Sequence, residues 1–288
     1  MHFTSLKDAL AHPDTRRARG PVAALIIEDE VEVDTTIRHH AYLGFKRIFA
    51  FAPPEMPLPD GVAEMVTRVD CATRAPGATA SILDGLMRAL PKDTWLYYAF
   101  NAEFLFFPFC ETRSIGEMLT FHAEERRRAM LTYVVDVYAG DLGQHGNAVN
   151  LEDAHLDRSG YYALGRYHPD GTQAERQLDF YGGLRWRFEE HIEPARRRID
   201  RIALVQTDPK LTFRDDHRWS EEERNTFSCP WHHNLTAAIV SFRTAKALRQ
   251  NPSSRYEIAN FRWHNSTEFE WHSQQLLDLG LMEPGQWF

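Results

Sequence analysis

The chain has 288 residues, 43% of them hydrophobic and 12% aromatic, and 33 Lys and Arg against 41 Asp and Glu give a formal net charge of −8. That balance excludes a general nucleic-acid binder, which needs a basic surface to displace counterions from phosphate, and the apolar content suffices for a large core. There is no run of about 18 apolar residues and no signal-peptide core, and Cys71, Cys110 and Cys229 lack disulfide-framework or zinc spacing. These features lead to the expectation of a cytoplasmic protein with no transmembrane segment, leaving peripheral membrane association open.

Residues 1–19 read as an N-terminal extension, 20–220 as the main domain and 221–288 as a C-terminal helical segment packed on it. From Gly20, the apolar run PVAALII ends at Glu28-Asp29-Glu30, as expected of a buried strand in a parallel sheet. Asp34 caps an expected helix from Thr35 to Leu43, stopped by Gly44, and Lys46 to Phe51 forms a second strand. On that helix His39 and His40 read as a helix face, since adjacent residues do not point at one ligand. The proline-rich stretch Pro53 to Gly61 reads as a surface loop and candidate lid. A short strand covers Val66 to Asp70, and a helix covers Ala78 to Leu90 with Ile82, Leu83, Leu86, Met87 and Leu90 on one face.

That helix leads into Thr94 to Pro108, TWLYYAFNAEFLFFP, two apolar runs separated by a polar step at Asn101, Ala102 and Glu103. A carboxylate at the end of such a strand is how a doubly wound sheet presents a side chain to a ligand. Glu103 is that carboxylate, or else it marks a turn between two buried strands. Ser114 with Glu117 gives a capping-box spacing, and Met130 to Tyr138 is the next strand. Residues 139–178 read as an extended excursion. Ile202 to Gln206 is a further strand, and a helix is expected from Ser228 to Asn251 with Leu235, Ile239, Phe242 and Leu248 on its buried face. Its first turn holds His232 and His233, which either seat a phosphate or cap the core. Arg126-Arg127-Arg128 and Arg196-Arg197-Arg198 read as solvated helix faces. The aromatic tail, including Trp263, Phe269, Trp271 and Trp287, is expected to dock on the main domain around a short helix, Ser273 to Leu279.

Several of these segments resemble the GT-A-type nucleotide-sugar glycosyltransferases, family 2 and its relatives. Trp95 and Glu103-Phe104-Leu105 match the motif W-l-l-x-x-D-a-D-E-F-l, although its two metal-binding aspartate positions hold Phe100 and Ala102. Glu30 matches the final residue of the family's K-N-E turn, and His40, Leu43 and Gly44 match its first helix. Where the family has an Asp-Asn step beside the nucleotide, this chain has Ala52, Pro53 and Pro54. Thr132 to Tyr138 looks like the strand after the metal motif, and Asp179 to Phe188 (DFYGGLRWRF) resembles F-G-G-x-R-x-R.

The resemblance implies an α/β GT-A fold, a mostly parallel sheet flanked by helices with an α-helical aromatic-rich C-terminal segment. It implies transfer of a sugar from a nucleotide-sugar donor to an unknown hydroxyl acceptor, in cell-surface polysaccharide or glycolipid synthesis. The runner-up is a catalytically silent relative acting as a carbohydrate- or partner-binding accessory subunit. Glu103 and Asp179 are the candidate catalytic carboxylates, with Glu152 a second choice of base. Glu30, Asn101, His232 and His233 are the donor-side candidates. With both motif aspartates replaced, an Mn²⁺ or Mg²⁺ ion would be weak and donor-dependent, held by Glu103, His217 and Asp215 or Asp216. No nucleophile elbow, Walker loop, dinucleotide fingerprint or His-Glu-x-x-His motif competes.

Overall fold

The computed structural model describes residues 1–228 and 234–287, so His232 and His233 lie outside the described residues. It is an α/β protein with a large mixed, mostly parallel central sheet flanked by helices. In chain order the elements are β1 (His2–Phe3), α1 (Leu6–Ala11), α2 (Pro13–Arg16), β2 (Val22–Ile26), α3 (Val33–Tyr42), β3 (Arg47–Ala52) and β4 (Thr67–Asp70). Next come α4 (Ala78–Ala89), β5 (Trp95–Phe100), β6 (Glu103–Phe106), α5 (Ile115–Glu124), β7 (Ala129–Ala139) and β8 (Ala154–Asp157). A hairpin of β9 (Tyr162–Tyr167) and β10 (Gln173–Tyr181) leads to α6 (Gly183–Arg187) and β11 (Asp200–Gln206). The chain ends with β12 (Ala237–Ser241), α7 (Arg243–Gln250), β13 (Ser266–Glu268) and α8 (Ser273–Asp278).

The main sheet runs β1-β4-β3-β2-β5-β11-β7-β12-β6, with β8 and β13 branching from β7. Only β11 and β6 run against the other strands of that row. Both faces of β2 and β5 are covered, so VAALI and LYYAF are apolar throughout and buried to the last residue. Ile37, Ile82, Leu83, Leu86, Ile115, Met118 and Leu119 supply the helix faces that cover them. A smaller cluster joins Tyr138, Leu184, Ala245, Leu248, Ile258 and Phe261 beneath the C-terminal third. The capping box is formed: Ser114 Oγ accepts from the Glu117 amide, and the Glu117 carboxylate accepts from the Ser114 amide at 2.8 Å.

Several expectations change in the structure, beginning with Asp34, which lies inside α3 while Glu32 is its N-cap. Instead of one helix from Ser228 to Asn251, Ala237–Ser241 is a strand, parallel to β7 and antiparallel to β6, and helix begins only at Arg243. Leu235, Ile239, Phe242 and Leu248 fit a 3.6-residue period, but Ala237 to Val240 is a short apolar run buried on every side, and sheet partners far away in sequence decide such a run. The segment beyond 220 is therefore woven into the sheet as well as packed on it. The proline-rich loop is pinned, because the Arg68 guanidinium donates to the carbonyls of Pro53 and Met56 at 3.1 and 2.7 Å. The excursion at 139–178 contains β8, β9 and the first part of β10, and Arg127 is buried, donating to Thr226, not spread on a helix face.

The aromatic tail docks as its composition requires: Phe269 and Trp287 are buried in the core, and Trp271 packs edge-on to Phe104. No helix among the described residues is long and apolar enough to cross a membrane.

Candidate functional site

Strands β3 and β4 lie on one side of β2, and the chain then crosses by α4 to β5 on the other side. Such a reversal, outside the carboxyl ends of β2 and β5, is the place where open α/β sheets bind ligands, although here Phe100, Asn101, Ala102 and Glu103 are buried in packed structure. Glu28, Asp29 and Glu30 follow β2 there, and Asn101 and Ala102 follow β5. Because β11 is antiparallel to β5, its first residues, Asp200 and Arg201, reach the same edge. Asp136 of β7 and Ser241 of β12, which are register partners, are followed at this edge by Arg243 and Lys246 of α7.

Asn101 organises the β2 end. Its Oδ1 accepts from the Glu28 amide at 2.8 Å, and its Nδ2 donates to Asp29 Oδ1 at 2.6 Å and to the Val31 carbonyl at 2.9 Å. Lys246 Nζ holds both Asp29 oxygens, at 3.1 and 2.9 Å. Burial alone would raise the Asp29 pKa, but Lys246 and the hydrogen bonds hold it below the ordinary value. Arg243 grips Glu28 in a two-pronged pair, both contacts 2.7 Å, and its guanidinium lies over the Phe100 ring at 3.9 Å from the centroid. Phe100 is thus the aromatic platform for an arginine.

Ala102 has a left-handed backbone, φ 59°. Its amide donates to Thr36 Oγ1 at 2.9 Å and its carbonyl accepts from the Phe242 amide at 3.1 Å, so α3 and the end of β12 over-determine this turn. Glu103 points inward. Its oxygens accept from Arg201 at 2.7 and 3.0 Å, from the Phe100 amide at 2.9 Å and from Ser241 Oγ at 3.1 Å. Burial alone would raise its pKa, but Arg201 overrides this and brings it down to about 2. With these acceptor positions filled, Glu103 is a structural anion, poorly disposed to ligate a metal or to accept a substrate proton.

The half-buried His217 also departs from a metal-ligand geometry. Its ring stacks on Tyr98, whose hydroxyl is 2.9 Å from Nδ1, and burial followed by the nearby Arg201, Arg243, Arg185 and Arg198 pushes its pKa well below the ordinary value. Asp215 is exposed, and Asp216 faces Arg218 and Arg214 at 3.3 and 3.4 Å. Among the described residues no three His, Cys, Asp or Glu side chains form a group that could hold a metal ion, so Glu103, His217, Asp215 and Asp216 do not come together as a ligand set. The donor groups at this edge do not fit a divalent cation.

Asp179 receives Arg166, Arg198 and Arg218 at 2.9, 3.2 and 2.8 Å. It shares Arg166 and Arg218 with buried Asp200, whose pKa burial raises to about 6. This network joins the hairpin to β11. Glu30 and Glu152 are exposed, and the Glu152 amide donates to Asn150.

The sequence reading missed Asp136, Arg185, Arg201, Arg243 and Lys246. Asp136 is fully buried, with Arg185 Nε 3.4 Å from its Oδ1, while its Oδ2 has no hydrogen-bond partner among the described residues. Burial raises its pKa, with Arg185 offsetting part of the effect. A lone carboxylate inside TYVVDVY and a lone arginine just after AAIVSF are the signals that would have marked Asp136 and Arg243.

No protein-family model, curated protein or solved structure matches this chain.

Proposed function

We propose that the chain is a GT-A-type glycosyltransferase that binds a nucleotide-sugar donor at the switch point and meets its diphosphate with guanidinium groups where the family uses a metal ion. The observation that carries this reading is the Arg243–Glu28 pair over Phe100, with Arg185 and Arg198 also close to His217. Together they bring guanidinium groups, each paired with a carboxylate in the unliganded chain, toward the carboxyl edge of β2 and β5, where a donor diphosphate would develop negative charge on departure. In this reading the diphosphate takes the place of Glu28 on Arg243, and Asn101 and Lys246 keep the β2 turn in register.

We assign the acceptor proton to Asp136, which is shut off from solvent in the unliganded chain, so the acceptor must displace the packing around it to come within reach. Its partner-free oxygen and raised proton affinity are what general-base catalysis requires. The acceptor oxygen bonds to the anomeric carbon as its proton passes to Asp136, and the sugar–phosphate bond breaks with its electron pair on the leaving diphosphate. Asp179, tied to three arginines, serves as a positioning residue for Arg198.

A specific observation favours the accessory-subunit reading: Glu28 already neutralises Arg243 bidentately. Thermal shifts with uridine, guanosine and thymidine diphosphates and their sugars, with and without Mn²⁺, separate the two. Metal-independent stabilisation in the wild type, lost in Arg243→Ala, is expected of a transferase; no stabilisation by any of them leaves the accessory role.

A further inference from the structure

A cavity of about 900 Å³ opens at the opposite edge of the sheet, beside the amino ends of β2 and β5 and against α5. None of its lining residues belongs to the switch point. Pro21, Trp95 and Leu119 give it apolar walls, and Trp95 is only partly buried. Arg17 and Arg19 stand on its rim, exposed, and neither guanidinium has an ion-pair or hydrogen-bond partner among the described residues. Of the two acidic residues lining it, Asp93 is already paired with Arg128. A shallower depression continues from it past Asp93 and Ala123 and adds Lys92 and Arg126.

Two uncommitted guanidinium groups over an apolar pocket stand out in a chain of net charge −8. An unpaired arginine on such a rim offers a planar fork of donors that suits a carboxylate, sulfonate or phosphate, and a partly exposed indole offers a flat apolar face. The volume is that of a site for a small organic ligand. We propose that this cavity binds a small soluble amphiphilic anion, its charged head between Arg17 and Arg19 and its apolar body against Trp95 and Leu119. The site is separate from the switch point, and the proposal does not depend on glycosyl transfer.

The test compares two dyes sharing one chromophore, anilinonaphthalene sulfonate and uncharged N-phenylnaphthylamine, titrated by fluorescence against the full chain. The wild type is expected to bind one equivalent of the sulfonate, about tenfold or more tighter than the neutral dye, which is the effect of one charge-assisted hydrogen bond or better. Decanoate is expected to displace it. In the double variant Arg17→Ala/Arg19→Ala, both positions exposed, that preference disappears while the neutral dye still binds. Ala123→Phe, which fills the pocket from an exposed position on α5, weakens both dyes. Melting curves check that each variant is folded. A preference for the sulfonate that survives loss of both arginines, affinities unchanged by Ala123→Phe, failure of decanoate to compete, or no stoichiometric binding by the wild type would each overturn the proposal.

Discussion

Glu103 at the start of β6 and Arg201 at the start of β11 meet in two hydrogen bonds of 2.7 and 3.0 Å, with 0% and 2% of their side chains reaching solvent. The pair ties the β5–β6 turn to an antiparallel strand 98 residues further along the chain. Removing one partner from such a pair leaves a buried charge uncompensated. Glu103→Gln is therefore expected to cost about 3–5 kcal/mol, whereas Glu103→Leu with Arg201→Met recovers most of that. Urea unfolding of the single and double variants measures both values; a single-variant loss below about 1 kcal/mol would show that the pair does not hold this edge together.

Acid should weaken the fold in two stages. Burial holds His39 and His122 down at about 4 and His40 at about 3, against 6.5 in the unfolded chain. Their ring nitrogens meet the carbonyls of Leu105, Ala129 and Thr36 respectively. As pH falls below 6.5 the unfolded chain takes up protons that the folded one refuses, so this stability is complete above 6.5 and lost on the way down to about 3. The slope is up to about 1.4 kcal/mol per pH unit for each histidine. Glu103, at about 2 folded against 4.5 unfolded, adds a second loss between those values. Urea midpoints at successive pH values from 7 to 4 are expected to fall, and His122→Gln to fall less steeply by about one proton's worth. Equal slopes for the two proteins would mean that His122 is not held neutral.

Much of the sheet was legible because its strands are either wholly apolar or bounded by Gly, Pro and acidic residues. The runs at Val22, Arg47, Thr67, Trp95, Ala129 and Asp200 lie within a residue or two of where their patterns put them. The strand at Ala237 was not, because nothing local separates a five-residue buried strand from one face of a helix. Its sheet partners, β7 and β6, lie about a hundred residues or more away. At the switch point Asn101 and the Glu28-Asp29-Glu30 turn were legible as polar steps ending apolar runs. Arg201, Arg243 and Lys246 were not, since a cation after a strand reads as solvated until its buried anion is known. Glu103 was located correctly at a strand boundary, yet only the position of Arg201 reveals that it faces inward.

Gly182, which follows β10, and Gly183, the first residue of α6, turn the chain beside Tyr161 and Asp136. Gly182 sits at φ 155° and ψ −174°, a region open essentially to glycine alone, and a Cβ there would lie 2.2 Å from the Tyr161 ring. Gly183 is at φ 61°, and its added Cβ would stand 3.3 Å from Asp136 Oδ2. Gly182→Ala is expected to lower stability by about 1–3 kcal/mol from the backbone alone, with more from displacing the ring. Thermal unfolding reads this directly; an unchanged melting temperature would mean that the turn relaxes freely and does not fix α6.

The separation of roles between Arg243 and Asp136 gives the sharpest test of the proposed chemistry. Arg243 is partly exposed at the switch point and pairs with Glu28, so Arg243→Ala should remove donor binding, seen as a raised KM and lost thermal stabilisation by nucleoside diphosphates. Asp136 is fully buried, with Arg185 Nε 3.4 Å from its Oδ1 and with Thr244 and the Arg185 backbone also offsetting the rise that burial gives its pKa. Asp136→Asn keeps the shape but cannot take a proton. Transfer to acceptor is then expected to fall by about 10²–10⁴-fold in kcat, with donor-induced stabilisation intact. Because burial raises the Asp136 pKa, the wild-type rate should decline on the acid side at a higher pH than for an ordinary aspartate. Arginine at position 185 offsets part of that rise, so Arg185→Gln should move the acid limb higher still. An Asp136→Asn enzyme with wild-type turnover, or an acid limb unmoved by Arg185→Gln, would remove Asp136 from the proton transfer while leaving the arginine site for the donor untouched.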